Sequence, residues 1–389
     1  MTQTVLLGDL LTDMAMGPFG SNLKVDSFIE SGVPIVKGGN LYGHEVGGDF
    51  SFVSEEKAQS LKRSLAYPDD IIITHRGTLG QVSIVPHGKY PYYLASQSQL
   101  RMTPDKDKIN PRYLLYYLRS SIGQHELMQH AAQVGVPSIA TPTKAVKSLK
   151  ILLLDLESQQ KIVDILGTID EKIELNRQMN ETLEQMGQAL FRHYFINNPE
   201  AEKWEEKSLD EIADFLNGLA MQKHPKESGK TTLPVIKIRE MSSGITANTD
   251  IASADIPEQY IVHNGDLLFS WSGTLLVKFW AEGDGALNQH LFKVNSRSYP
   301  EWLYYYWTKY HLDDFIQTAK SKATTMGHIQ RKHLKQAKVR VPNTATLEEI
   351  GSEIQPLVDF GKENTQQIQA LTALRDTLLP KLINGKLKP

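Results

Sequence analysis

The sequence predicts an α+β protein of two similar domains separated by two long helices that pair antiparallel, the halves related by a pseudo-two-fold internal repeat. Three observations predict it. A block of about 190 residues returns in degenerate form, each copy ends in a long heptad-patterned segment, and the order is domain, helix, domain, helix. The corresponding boundaries are 1–155 for the first domain, 156–197 for the first helix, 198–343 for the second domain and 344–389 for the second helix and tail.

The repeat is legible residue by residue. Val33-Pro34-Ile35-Val36-Lys37 returns as Leu233-Pro234-Val235-Ile236-Lys237, and Asp70-Ile71-Ile72-Ile73 as Asp266-Leu267-Leu268-Phe269. Behind these lie Arg76-Gly77-Thr78-Leu79 and Ser272-Gly273-Thr274-Leu275. Ser96-Gln97-Ser98-Gln99 matches Asn288-Gln289-His290-Leu291, and Pro111-Arg112-Tyr113-Leu114 matches Pro300-Glu301-Trp302-Leu303. The offset falls from 200 to 188 along the chain, as loop insertions and deletions produce. A period this long means duplicated domains rather than a solenoid.

Within a copy, Asp70 to Thr74 is a short β-branched run after a Pro-Asp-Asp turn and reads as a buried strand. Arg76-Gly77-Thr78 is a turn, and Gln81 to Val85 is the returning strand. Asn110-Pro111 opens a helix, with Asn as cap and Pro at the first helical position. Lys150 to Leu154 and Lys338 to Val341 are strands leading out. The aromatics Tyr116, Tyr117, Tyr305, Tyr306 and Trp307 are assigned to helix packing rather than to base stacking.

Each long helix carries a seam. In the first, apolar residues step by four and three through Ile162, Leu166, Ile169 and Ile173, pass through Asn176 and Asn180, and resume at Leu183 and Leu190. The second reads Ile350, Ile354, Leu357, Gly361, Asn364, Ile368, Leu371, Leu374 and Leu378. A helix over 158–194 would span roughly 55 Å and needs a partner along its narrow apolar stripe. Its own repeat is the nearest candidate, and a chain that goes out along one helix must come back along the other. Asn176 and Asn364 occupy equivalent positions; either they set register near the pseudo-axis, or they are tolerated and solvated. Pro356 places the start of the second long helix near Gln355, with 346–354 as a separate short helix.

Composition narrows the function. The chain has 389 residues, 40% hydrophobic, no cysteine and a net charge of −3. Absence of cysteine removes disulfides, thiolate zinc sites and cysteine nucleophiles, and suits a reducing cytosol. With no readable signal peptide or membrane-length apolar run, the expectation is a cytoplasmic protein with no membrane contact. The charge is unevenly spread. Residues 127–154 hold Lys144, Lys147 and Lys150 and no carboxylate; residues 315–347 hold seven basic residues, among them Lys320, Lys322, Arg331 and Lys332, and again no carboxylate. Their recurrence at matching places points to polyanion contact.

Enzyme motifs are lacking. Ser228-Gly229-Lys230-Thr231 resembles the end of a phosphate-binding loop, but His224 stands where its first glycine belongs. Asn197-Asn198-Pro199-Glu200 is not the Asn-Pro-Pro-aromatic signature of amino-methyltransferases. No His-Glu-x-x-His or Gly-x-Ser-x-Gly occurs, and the histidines lack metal-ligand spacing. Catalytic, cofactor and metal residues are therefore expected to be none. Binding signals are richer. Arg76, Thr78, Ser272 and Thr274 lie on equivalent turns, and Gln97, Gln99, Gln289 and His290 carry groups suited to base edges. Lys24, Lys37, Lys237, Arg239 and His328 join Lys144, Lys320, Lys322, Arg331 and Lys332 as candidate contacts to DNA.

The arrangement resembles the specificity subunit of type I restriction-modification systems over essentially the whole chain. The carriers are Gly17-Pro18-Phe19-Gly20-Ser21, the run from Asp70 to Thr78, Ser158-Gln159-Gln160-Lys161-Ile162, Asp170-Glu171-Lys172-Ile173, and the tail Leu379-Pro380-Lys381-Leu382-Ile383-Asn384-Gly385. The resemblance implies that each domain reads one half of a bipartite target in double-stranded DNA and that the helices set the gap. It implies two methyltransferase (modification) subunits that use S-adenosylmethionine, and motor-nuclease subunits that use ATP, as partners; the cofactors belong to them. The competing expectation is a scaffold that spaces two protein ligands and binds no nucleic acid, which the acidic net charge favours.

Overall fold

The computed structural model describes residues 3–132, 135–321 and 327–388. They form two units, one of Met1–Asp170 with Ala373–Pro389 and one of Glu171–Thr372. Each unit therefore combines one globular domain with a stretch of both long helices.

The duplication extends to strand order. In the first unit an antiparallel sheet runs Leu11–Met16, Gln99–Pro104, Ile71–Thr74, Val82–Ile84. In the second the order is Asp214–Asn217, Leu291–Asn295, Leu267–Ser270, Val277–Phe279. A second sheet runs Ser51–Val53, Val33–Val36, Tyr93–Ala95, Leu65–Ala66, matched by Ile251–Ser253, Thr232–Ile236, Gly285–Leu287, Ile261–Val262. Its central pair is parallel in both units. Strand Gln3–Leu6 pairs antiparallel with Lys150–Leu153, and Glu205–Ser208 does the same with Lys338–Val341. The strands expected to lead out thus close each domain onto its own beginning. Such pairing between distant segments leaves no local trace in sequence.

Strand Ile71–Thr74 shows why these runs are continuous rather than alternating. Ile71 and Ile73 enter one apolar cluster, and Ile72 enters another. Leu267 and Phe269 are likewise divided from Leu268. Both faces are covered, so both must be apolar. Helix Pro111–Arg119 starts as its sequence dictates: the Asn110 side chain accepts from the backbone N–H of Arg112 at 2.9 Å, and Pro111 fills the first turn. Tyr116, Tyr117, Tyr305, Tyr306 and Trp307 are all buried, as expected of packing residues.

The first long helix is Leu156–Phe191 and the second is Thr344–Ile383. The second does not begin near Gln355: it runs unbroken through Pro356. Ile350, Ile354 and Val358, 0–5% exposed, anchor both sides of the proline in the aromatic core of the second unit. Pro356 and Ser352 face solvent, where water can serve the carbonyl that the missing N–H leaves unpaired. Packing therefore offsets the roughly 3 kcal/mol that proline costs within a helix.

In the second unit the two helix stretches run antiparallel. Tyr194 donates to Glu353 at 3.0 Å, Asn180 Nδ2 to Thr365 Oγ1 at 3.0 Å, and Asn176 Nδ2 to Gln367 Oε1 at 3.1 Å. Asn176 and Asn364 are 0% and 9% exposed, so the solvated alternative does not hold. Asn176 Oδ1, Asn180 Oδ1 and Asn364 Nδ2 find no partner among the described residues. A polar layer so incompletely satisfied costs stability, and it disfavours heptad slips that would set these amides against leucine or isoleucine.

Candidate nucleic-acid interface

In each domain three loops meet around the turn that follows the central strand. In the first, Gly77 N donates to Pro137 O at 2.8 Å, Ile139 N to His75 O at 2.9 Å, and His75 N to Ser98 O at 2.9 Å. In the second, Gly273 N donates to Gly327 O at 2.9 Å, Ile329 N to Trp271 O at 2.9 Å, and Trp271 N to His290 O at 3.3 Å. Both turns use a glycine at positive φ, +95° at Gly77 and +62° at Gly273. A fourth loop is pressed on the same place. Gly17 N donates to Gln99 O at 2.9 Å, and Gly218 N to Leu291 O at 3.1 Å. A Cβ on Gly17 would lie 1.8 Å from Ser96 O, and one on Gly218 2.3 Å from Asn288 O, so only glycine fits. The backbone platform is thus the same twice, while the side chains on it differ.

The structure sorts the residues singled out from sequence. Arg76, Thr78, Gln97 and Thr274 are exposed on the platforms, and Gln289 and His290 are half-buried there. His328 is exposed and bridges to Ser272. Two expectations need correction. Gln99 is fully buried, its amide held against the Ser96 hydroxyl and the backbone of Val36 and Gly38, so it braces the turn. Ser272 is 3% exposed, and its hydroxyl lies 3.1 Å from His290 Nδ1; it orients that imidazole rather than meeting a ligand itself.

The cations also divide. Lys237 is paired with Asp250, and Arg239 with the fully buried Glu240 at 2.7 Å, so their charge is largely spent within the domain. Arg331 donates to Phe215 O at 3.1 Å and lies over the Phe292 ring, which fixes its position at the surface. Lys37 donates to Ser51 Oγ at 2.8 Å. Lys24, Lys144, Lys320 and Lys332 are exposed and make no ion pair among the described residues. Lys322 lies outside the described residues.

Two aromatic side chains at these platforms escaped the sequence reading. Phe19 is 73% exposed beside the first platform. Trp271 stands at the second, its Nε1 donating to Asn217 Oδ1 at 2.8 Å and its ring 5.6 Å from that of His290. No sequence signal separates Trp271 from the core aromatics, whereas Gly17, two residues before Phe19, marks a loop pressed edge-on against its neighbour.

Buried His75 makes the first platform pH-sensitive. Its Nε2 lies 3.2 Å from Gln97 O, and burial holds the imidazole below its ordinary pKa. The unfolded chain then takes up this proton first, so stability is complete above pH about 6.5 and declines as the pH falls below it. Hydrogen exchange of the 75–79 backbone, corrected for intrinsic rates, should accelerate on acidification through that range. Unchanged protection would contradict this account.

The family described as type I restriction modification DNA specificity domain matches the chain twice, over residues 18–185 and 201–373. The chain belongs to that family. Among its relatives, the MjaIX specificity subunit of the type I restriction enzyme from Methanocaldococcus jannaschii is 25% identical, the match covering 82% of this chain and 77% of the relative. The HindI specificity subunit from Haemophilus influenzae is 21% identical, with 76% and 81% covered. The crystal structure of a type I restriction-modification S subunit from M. genitalium superimposes with a TM-score of 0.59 at 16% identity, over 98% of this chain and 96% of that one, which shows a shared fold. A type I specificity subunit recognises DNA and is itself non-catalytic, and the two matched segments each contain one platform. Among the described residues no helix is long and apolar enough to cross a membrane.

Proposed function

We propose that each platform reads one half of a bipartite target in double-stranded DNA, with the paired helices setting the gap between the halves. The observation that carries this is the duplicated platform: one hydrogen-bonded backbone frame presenting Arg76, Thr78 and Gln97 in one domain and Thr274, Gln289, His290 and Trp271 in the other. An invariant frame with variable side chains is what reading two different half-sites requires. Lys144, Lys320, Arg331 and Lys332 supply phosphate contacts.

The helices also dock two methyltransferase subunits, which carry S-adenosylmethionine, and through the assembled complex the ATP-driven motor-nuclease subunits act. In support, the second unit leaves Leu175, Met179, Met186 and Phe360 between 42% and 56% exposed on its helix stretches. Leu175, Met179 and Met186 recur at helical spacing along one face of the first helix, a stripe that needs a cover.

Methylation mapping in cells carrying the complete system tests the reading. Arg76→Ala should make one position degenerate in one half-site and leave the other half and the gap unchanged. Lys320→Ala with Lys332→Ala should weaken binding to all sequences alike and lower the salt slope by about 2. Binding that ignores salt, or an unaltered methylation pattern in Arg76→Ala, would reject the assignment.

A further inference from the structure

Phe19 is placed for contact rather than for packing. Among the described residues it is the most exposed large side chain made only of hydrocarbon, at 73%. Its backbone is nevertheless fixed on both sides. Gly17 is clamped under Ser96, the backbone N–H of Asn22 donates to Phe19 O at 2.8 Å, and a Cβ on Gly20 would lie 2.6 Å from the Gln97 side chain. Gln97 in turn holds His75, the neighbour of Arg76, through its carbonyl. The ring therefore stands on the surface that carries Gln97 and Arg76, with Lys24 five residues on; neither Lys24 nor Arg76 makes an ion pair among the described residues. An exposed apolar group on a fixed backbone, on the surface that also carries a guanidinium and a carboxamide, suits the edge of a base pair bearing a methyl group. Of the four unmodified bases, only thymine presents one in the major groove.

The second domain lacks this device. Gly218 occupies the place of Gly17, but Leu219 and Ala220 follow it where Pro18 and Phe19 stand, and both are half-buried. We propose that Phe19 is a specificity-determining residue that contacts the 5-methyl group of a thymine in the half-site read by the first domain, a contact without counterpart in the other half-site.

The inference rests on DNA reading by the platforms, and the experiment separates the two. The assembled complex is assayed for binding and methylation on targets in which each thymine is replaced singly by uracil. The unsubstituted complex should lose about fourfold in affinity at one position of one half-site, the change expected for one buried methyl group. Phe19→Ala should abolish discrimination between thymine and uracil there, Phe19→Leu should retain part of it, and the other half-site should respond identically in all three. Because the side chain is exposed, both variants should assemble normally. If Arg76→Ala relaxes this half-site while Phe19→Ala leaves the thymine preference intact, only this inference fails. It fails equally if the half-site contains no thymine, or if Phe19→Ala impairs assembly with the methyltransferase instead of base discrimination. If Arg76→Ala changes neither half-site, the reading by platforms fails first.

Discussion

Asp170→Ala should destabilise the first unit by about 3 kcal/mol or more. The carboxylate is 18% exposed and receives three partners from three elements: His44 Nδ1 at 2.8 Å, Tyr116 Oη at 2.6 Å and Arg375 Nη1 at 3.1 Å. It joins the first long helix to the domain and to the returning second helix within that unit. Burial pushes its pKa up, but His44, Tyr116 and Arg375 outweigh burial and hold it below the ordinary value. Removing it leaves Arg375 near the half-buried guanidinium of Arg119, with one fewer counter-charge. The sign of the pH dependence follows. A depressed carboxyl contributes fully above its unfolded value of about 3.9 and loses that contribution as the pH falls through the folded value. Denaturant unfolding at neutral pH should show the full loss in Asp170→Ala, and the difference from the parent should shrink in strong acid. Equal stability of the two proteins at neutral pH would refute the role.

Gly187→Ala and Gly361→Ala should act in opposite directions, though both add a methyl to a helix interior in the same unit. Alanine normally gains about 1 kcal/mol over glycine there. At Gly361 nothing lies within 4 Å of the new Cβ, so that gain should appear in full. At Gly187 the new Cβ would fall 1.8 Å from Tyr306 Oη. Tyr306 is 2% exposed and stacks on Phe191 at 5.8 Å, so the ring cannot yield. Overpacking of this kind costs about 1–3 kcal/mol and should exceed the gain in propensity. Thermal unfolding of the two variants checks the pair, and stabilisation by Gly187→Ala would mean that helix and domain do not meet as described. The second unit forms its own polar lock nearby, with Glu184 accepting from Lys309 Nζ at 2.6 Å and Tyr305 Oη at 2.7 Å. Val358 and Gly187 stand where the first unit has Asp170 and Arg375, so the two locks differ although the folds repeat.

Much of this protein was readable one residue at a time. The cap at Asn110, the buried run at Ile71–Thr74 and the heptads through Ile162 and Ile350 each rest on local rules of period and capping. The second long helix starts at Thr344 rather than near Gln355 because the core on either side of Pro356 outweighs the local penalty that sequence shows. Ser272 and Gln99 turn inward, and a polar residue on a turn looks the same in sequence whether it faces solvent or its own neighbours.

The sequence by itself determined that there are two copies, that each ends in a rod, and that no thiol or familiar catalytic motif is present, because repetition and periodicity are properties of order along the chain. Only the tertiary structure decided which side chains stand on the platforms, which cations are already paired, and that Phe19 faces outward while Gly187 has no room for a methyl group. Those outcomes depend on distances between residues far apart in the chain, and such distances exist only once the loops have closed.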